Sequence, residues 1–104
     1  MIITVFRAYV RDNLDPELLA EAEARDARML ELASKMPGFI SYKQFEAADG
    51  ESLAIVEFES LANVRAWHDH PEHLAVQQWG REKLFRTYHI QTCEVARDLR
   101  FPRT

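Results

Sequence analysis

Residues 39–59, FISYKQFEAADGESLAIVEFE, decide the fold. Phe39 to Glu46 is rich in aromatic and β-branched residues and reads as a strand, and Leu53 to Glu59 reads as another. Between them, Ala47-Ala48-Asp49-Gly50-Glu51 forms a short turn carrying the Asp-Gly pair that hairpins favour. Upstream, Met36-Pro37-Gly38 stops a helix, since proline cannot extend one and glycine takes a left-handed turn at little cost. That helix begins at Asp15-Pro16-Glu17, where Asp15 is expected to cap, Pro16 suits the first helical position and Glu17 favours the positive end. It is expected to run to about Lys35, with Leu18, Ala22, Met29, Ala33 and Met36 recurring at helical spacing.

Further out, Ile2 to Val10 reads as a strand with Ile3, Val5, Arg7 and Tyr9 on one face and Ile2, Thr4, Phe6, Ala8 and Val10 on the other. Both faces are largely apolar, which implies that both are covered. Downstream, Ser60 starts a second helix over Leu61 to His68. Pro71 opens a further helical stretch to Trp79, which Gly80 weakens or ends. Tyr88 to Arg97 reads as the last strand, followed by a polar tail containing Pro102. The order strand, helix, strand, strand, helix, strand is the split pattern of an α+β ferredoxin-like domain, with two helices on one face of a four-stranded antiparallel sheet. Residues 1–104 then make a single domain. Phe6, Tyr42, Val56 and Ile90 cannot all be placed against two helices. A second copy packed sheet to sheet, an isologous homodimer, is the expected cover.

Composition narrows the function classes. The apolar share of 47% and the charged share of 29% are those of a globular chain. The net charge is −4, with positive residues scattered, so no nucleic-acid partner is expected. There is no apolar run long enough to span a membrane. The start, Met1 to Arg7, lacks the basic region and cleavage site of a secretory signal, and Cys93 is alone. A reduced, cytoplasmic location is the expectation. Cys93 itself is expected to be a small buried hydrophobe in a strand.

Three stretches resemble the antibiotic biosynthesis monooxygenase family. Met36-Pro37-Gly38-Phe39 is similar to its first helix exit. Phe58-Glu59-Ser60-Leu61 with Ala66-Trp67 and His70-Pro71-Glu72-His73 is similar to its third strand and second helix. Tyr88 to Val95 is similar to its closing strand. The resemblance implies a dimeric α+β barrel in which each protomer keeps its own pocket between the second helix and the sheet. It also implies a role for Asn63 and Trp67, since the cofactor-free quinol-forming oxygenases of the family use an Asn and a Trp one helical turn apart. His73 stands where those enzymes place a Tyr. The haem-degrading branch uses an Asn on the first strand and an iron-ligating His beyond the Trp. Here the first strand has no Asn and the comparable position is Gln77.

The candidate catalytic residues are therefore Asn63, Trp67, His73 and His89, and the candidate substrate contacts are Trp67, His70, Gln77, Tyr42 and Phe6. Trp67 either packs its helix on the sheet or orients a planar aromatic. Asn63 either solvates the first turn of its helix or, if buried, bonds a substrate carbonyl or peroxide oxygen. His73 or His89 is suited to take a proton near neutral pH. His68, His70 and His73 do not have the spacing of a recognised metal site, and His70, before Pro71, is placed to cap a helix. Arg7 and Glu57 interrupt apolar strand faces, either as a buried pair or at a pocket edge. The resulting expectation is a monooxygenase acting on a small aromatic and dioxygen without metal or cofactor. The alternatives are a dimeric module that binds a small apolar ligand, and a haem-binding protein with His70 or His73 as axial ligand.

Overall fold

The computed structural model describes residues 1–102. Its elements are β1 (Ile2–Val10), α1 (Pro16–Ser34), β2 (Phe39–Glu46), β3 (Ser52–Phe58), α2 (Leu61–His68), α3 (Pro71–Trp79), a π-helical turn (Gly80–Leu84) and β4 (Phe85–Glu94). The four strands form one antiparallel sheet in the order β2-β3-β1-β4. This is the ferredoxin-like α+β arrangement that the element order implies.

Local chemistry fixes the joints. Pro16 opens α1, but the Asp15 side chain makes no capping bond. The carbonyl of Asp15 accepts from the Leu19 N–H at 3.1 Å instead. Gly38 leaves α1 with φ 78°, and a Cβ there would collide with the Asn63 carboxamide, so both backbone and space select glycine. In the hairpin turn, Gly50 sits at φ 92°, and the Asp49 carboxylate accepts from the Glu51 N–H at 3.0 Å. Ser60 caps α2 by accepting from the Asn63 N–H at 3.2 Å.

The last strand begins at Phe85, three residues before its expected start. Gly80 does not end the helix; the chain continues through the π turn to Leu84, whose carbonyl accepts from the Arg11 N–H at 2.9 Å, and Phe85 then pairs with Val10. The strand stops at Glu94 because Glu94 already faces Ile2, the first residue of β1.

Met29, Ala33, Val56, Phe58 and Trp67 form the buried core, where α1 packs on β2 and α2 on β3. No residue of β4 is buried. The register sets Phe6 beside Ala54 and Ile90, and Val56 beside Thr4 and Tyr42. Phe6, Tyr42, Val56 and Ile90 thus share one side of the sheet, the helix side, which corrects the expectation that the two helices could not face all four. They fit because the helices leave a gap over the sheet rather than closing on it. The opposite side carries half-buried Ile3, Val5, Leu53 and Ile55, and among the described residues no helix lies above them.

Arg7 and Glu57 lie on this opposite side and do not pair with each other. Arg7 binds the Glu51 carboxylate through two hydrogen bonds, at 3.0 and 3.1 Å, and Glu57 accepts from the Ser41 hydroxyl at 2.6 Å. Cys93 is on this side too and is exposed in the single chain rather than buried.

Phe58 is 1% exposed and meets the Phe39 ring edge-on at 5.8 Å. Phe58→Ala is expected to lower stability by about 3–5 kcal/mol, read from the urea midpoint.

Candidate functional site

Between the helices and the sheet lies a cavity of about 200 Å³. Thr4, Phe6, Ala54, Val56 and Ile90 line it from the sheet, and Met29, Val64, Trp67 and Val76 line it from the helices. Tyr88 and Ile90, 40% and 47% exposed, leave it open on the β4 side. The apolar lining carries a few polar groups: Asp26, Tyr42, His68, His73, Gln77, Arg81 and Tyr88. A mostly apolar hollow with a few placed polar groups is the usual form of a small-molecule site.

Trp67 and His73 form a stacked pair in its wall. Trp67 is buried at 6% exposure, and the His73 imidazole stacks on the indole with ring centres 4.1 Å apart and planes 14° apart. The sequence builds this contact from the α2–α3 junction. His70 caps α3 by accepting from the Glu72 N–H at 3.2 Å, Pro71 starts the new helix, and His73 is carried back under Trp67. His73 Nδ1 lies 3.0 Å from the Trp67 carbonyl oxygen. A carbonyl only accepts, so Nδ1 carries the proton and Nε2 keeps its lone pair. Burial pushes the His73 pKa down, against the opposing pull of that carbonyl, and the charges of His68 and His70 lower it further. The ring is therefore neutral at neutral pH.

Tyr42 and Asp26 make a second polar group. Burial, then the charge of Asp26, raise the Tyr42 phenol. Burial likewise raises the Asp26 carboxyl, against a hydrogen bond from Gln44. Asp26 is exposed over much of its surface, but the part that lines the cavity is desolvated.

Of the residues expected at the site, Trp67, His73, Gln77, Tyr42 and Phe6 line the cavity together. Asn63, His70 and His89 do not. Asn63 is in the first turn of α2, where its side-chain oxygen accepts from the Ser60 hydroxyl at 2.7 Å and packs against Gly38. Helical spacing aligns it with Trp67, but its turn lies over the end of α1 rather than over the gap. His70 is occupied as the α3 cap. His89 stands opposite Arg7 on β1 and so points to the other side of the sheet.

Asp26, Arg81 and Tyr88 are cavity residues that the reading of the sequence missed as a site. Asp26 lies one turn before Met29, a spacing that puts both on one face of α1. Strand alternation likewise puts Tyr88 with Ile90. Arg81 carries no such signal, because its position depends on the π turn. Among the described residues, no group of three or more His, Cys, Asp or Glu is placed to hold a metal ion, and no helix is long and apolar enough to cross a membrane.

Residues 1–79 match the antibiotic biosynthesis monooxygenase family. The chain belongs to that family. A relative in Bacillus subtilis strain 168, the uncharacterized protein YqjZ, is 30% identical over 74 residues, which is 71% of this chain and 65% of YqjZ. The chain thus matches just under two thirds of that relative's length. Among solved structures, Rv0793 of Mycobacterium tuberculosis superposes with a TM-score of 0.78 at 19% identity, covering 93% of this chain and 96% of Rv0793. SnoaB of Streptomyces nogalater, a cofactor-independent oxygenase, gives a TM-score of 0.74 at 19% identity, covering 98% of this chain and 97% of SnoaB. At such identities the two structures establish the shared fold of this family member.

The titrations have opposite signs. His73 has a folded pKa below its ordinary 6.5, so its contribution to stability is complete above that pH and is lost as pH falls below it. His73→Gln is expected to flatten the dependence of Tm on pH in that window. Asp26 has a folded pKa above its ordinary 3.8, so its contribution is complete below that value and lost as pH rises through the raised one. Asp26→Asn is expected to raise Tm at pH 7 and to have less effect near pH 3, read by thermal melts.

Proposed function

We propose that this family member is a cofactor-independent monooxygenase acting on a small electron-rich aromatic, a phenol or hydroquinone. The observation that carries the reading is His73: neutral, stacked on Trp67, and held by the Trp67 carbonyl in the tautomer that leaves Nε2 basic. Family membership and the fold shared with SnoaB support it.

The chemistry follows from those groups. Trp67 and the apolar walls hold the ring and exclude water. His73 Nε2 takes the hydroxyl proton, and the phenolate passes one electron to dioxygen. Recombination of the radical pair forms a C–O bond at a ring carbon bearing hydrogen, and the peroxide anion takes the proton back from the imidazolium. Nε2 then removes the ring C–H proton as the O–O bond breaks. Those electrons form the new carbonyl, and the departing hydroxide is protonated to water. The sum is phenol plus dioxygen to quinone plus water, with His73 regenerated.

The functional unit is a pair of copies, each covering the other's uncovered sheet side at Ile3, Val5, Leu53 and Ile55. Burial of that strip supplies apolar area that a chain of 104 residues lacks by itself. Ile55→Glu is expected to give a monomer in sedimentation velocity; a variant that sediments as the wild type contradicts the pairing.

Oxygen uptake by metal-free protein with a panel of phenols, hydroquinones and anthrones tests the reaction. His73→Ala is expected to lower kcat by about 10²-fold or more, the usual contribution of a general base, and Trp67→Phe to raise KM. Uptake that survives His73→Ala refutes the proposed base. No protein-dependent uptake across the panel, with binding retained, assigns the cavity to ligand binding instead.

A further inference from the structure

The cavity has two polar ends that the oxygenase steps leave unused. At one edge of the sheet, Asp26 on α1 and Tyr42 on β2 line it together, with the Gln44 amide donating to the Tyr42 hydroxyl at 3.5 Å. At the other edge, Arg81 and Tyr88 line it, and Arg81 Nη1 donates to the Tyr88 hydroxyl at 3.5 Å. β2 and β4 are the outer strands of the sheet, so the ends are three strand spacings apart, about 14 Å between backbones. Phe6, Ala54 and Val56 form an apolar floor between them.

The two ends differ in sign, and neither is internally neutralised. Among the described residues Arg81 forms no ion pair, and neither does Asp26. The turn that presents Arg81 is held in place, because Arg11 Nη2 donates to the Arg81 carbonyl at 2.9 Å. A carboxyl with no cation beside it and a guanidinium with no anion beside it face one hollow across an apolar floor. The Gln44 amide gives Asp26 one hydrogen bond, and the desolvated carboxyl keeps further lone pairs for a second donor. The size is also informative. An apolar cavity of about 150 Å³ accepts benzene. The 200 Å³ available here takes one substituted ring or a fused pair, with the open β4 side free for a projecting group.

We propose that this cavity takes a hydroxyaryl carboxylate of one or two rings, its carboxylate bound by Arg81 and a remote hydroxyl donating to Asp26 beside Tyr42. The hydroxyl that His73 ionises is a separate one. The inference rests on the oxygenase reading only in placing an aromatic ligand in this cavity, and its test needs no turnover.

The test is isothermal titration under nitrogen at pH 7.5 with 6-hydroxy-2-naphthoate, 2-naphthoate and 2-naphthol. The first is expected to bind about tenfold tighter than either of the others, the usual worth of a charge-assisted hydrogen bond. Arg81→Gln is expected to weaken both carboxylates about tenfold and leave 2-naphthol unchanged. Asp26→Leu is expected to weaken both hydroxyl-bearing probes and leave 2-naphthoate unchanged. In each variant the unaffected probe reports that the cavity is still folded. Equal affinities for all three probes, no binding of any, or a loss on Arg81→Gln that is the same for 2-naphthol overturns the proposal. Failure of oxygen uptake leaves these titrations untouched, so the two readings stand or fall separately.

Discussion

The site depends on one contact, the stack of His73 on Trp67 closed by the hydrogen bond from Nδ1 to the Trp67 carbonyl. Trp67 belongs to the core and to the cavity wall at once. Its position is therefore fixed by the packing that makes the domain fold. His73 inherits that precision, because both its ring plane and its tautomer are set by Trp67. An imidazole carried on a free loop would have neither. The break between α2 and α3 is what makes the stack available. Residues six apart on one continuous helix do not face each other, whereas the His70 cap and Pro71 turn the chain back.

Incomplete cover of the sheet is the second constraint. The helices pack on β2 and β3 and leave β4 unburied, so a gap remains over Phe6 and Ile90. That gap has a thermodynamic consequence. Asp26 and His73 both line it and both have their charged forms disfavoured by burial. Groups held in that state are poised to exchange protons or to receive a ligand.

Much of this was legible in the sequence, for reasons tied to particular residues. Aromatic and β-branched residues and the Asp49–Gly50 turn placed the central hairpin, and Pro37 with Gly38 ended α1 where expected. Trp67, His73, Gln77, Tyr42 and Phe6, singled out from the sequence, line one cavity. The failures have local causes. Asn63 shares a helix face with Trp67, but close approach to Gly38 and Ser60 holds it outside the gap. His89 was misplaced because strand alternation alone does not say which side of β4 the helices cover. The early start of β4 and the position of Arg81 both follow from a π-helical turn that hydrophobic periodicity does not signal.

The proposed reaction requires His73 to be a neutral base with its free lone pair on Nε2. Nitrogen-15 NMR of the imidazole through a pH titration measures this directly. A proton on Nδ1 at pH 7 and a midpoint below the ordinary 6.5 are expected. A proton on Nε2, or a midpoint at or above 6.5, would contradict that requirement.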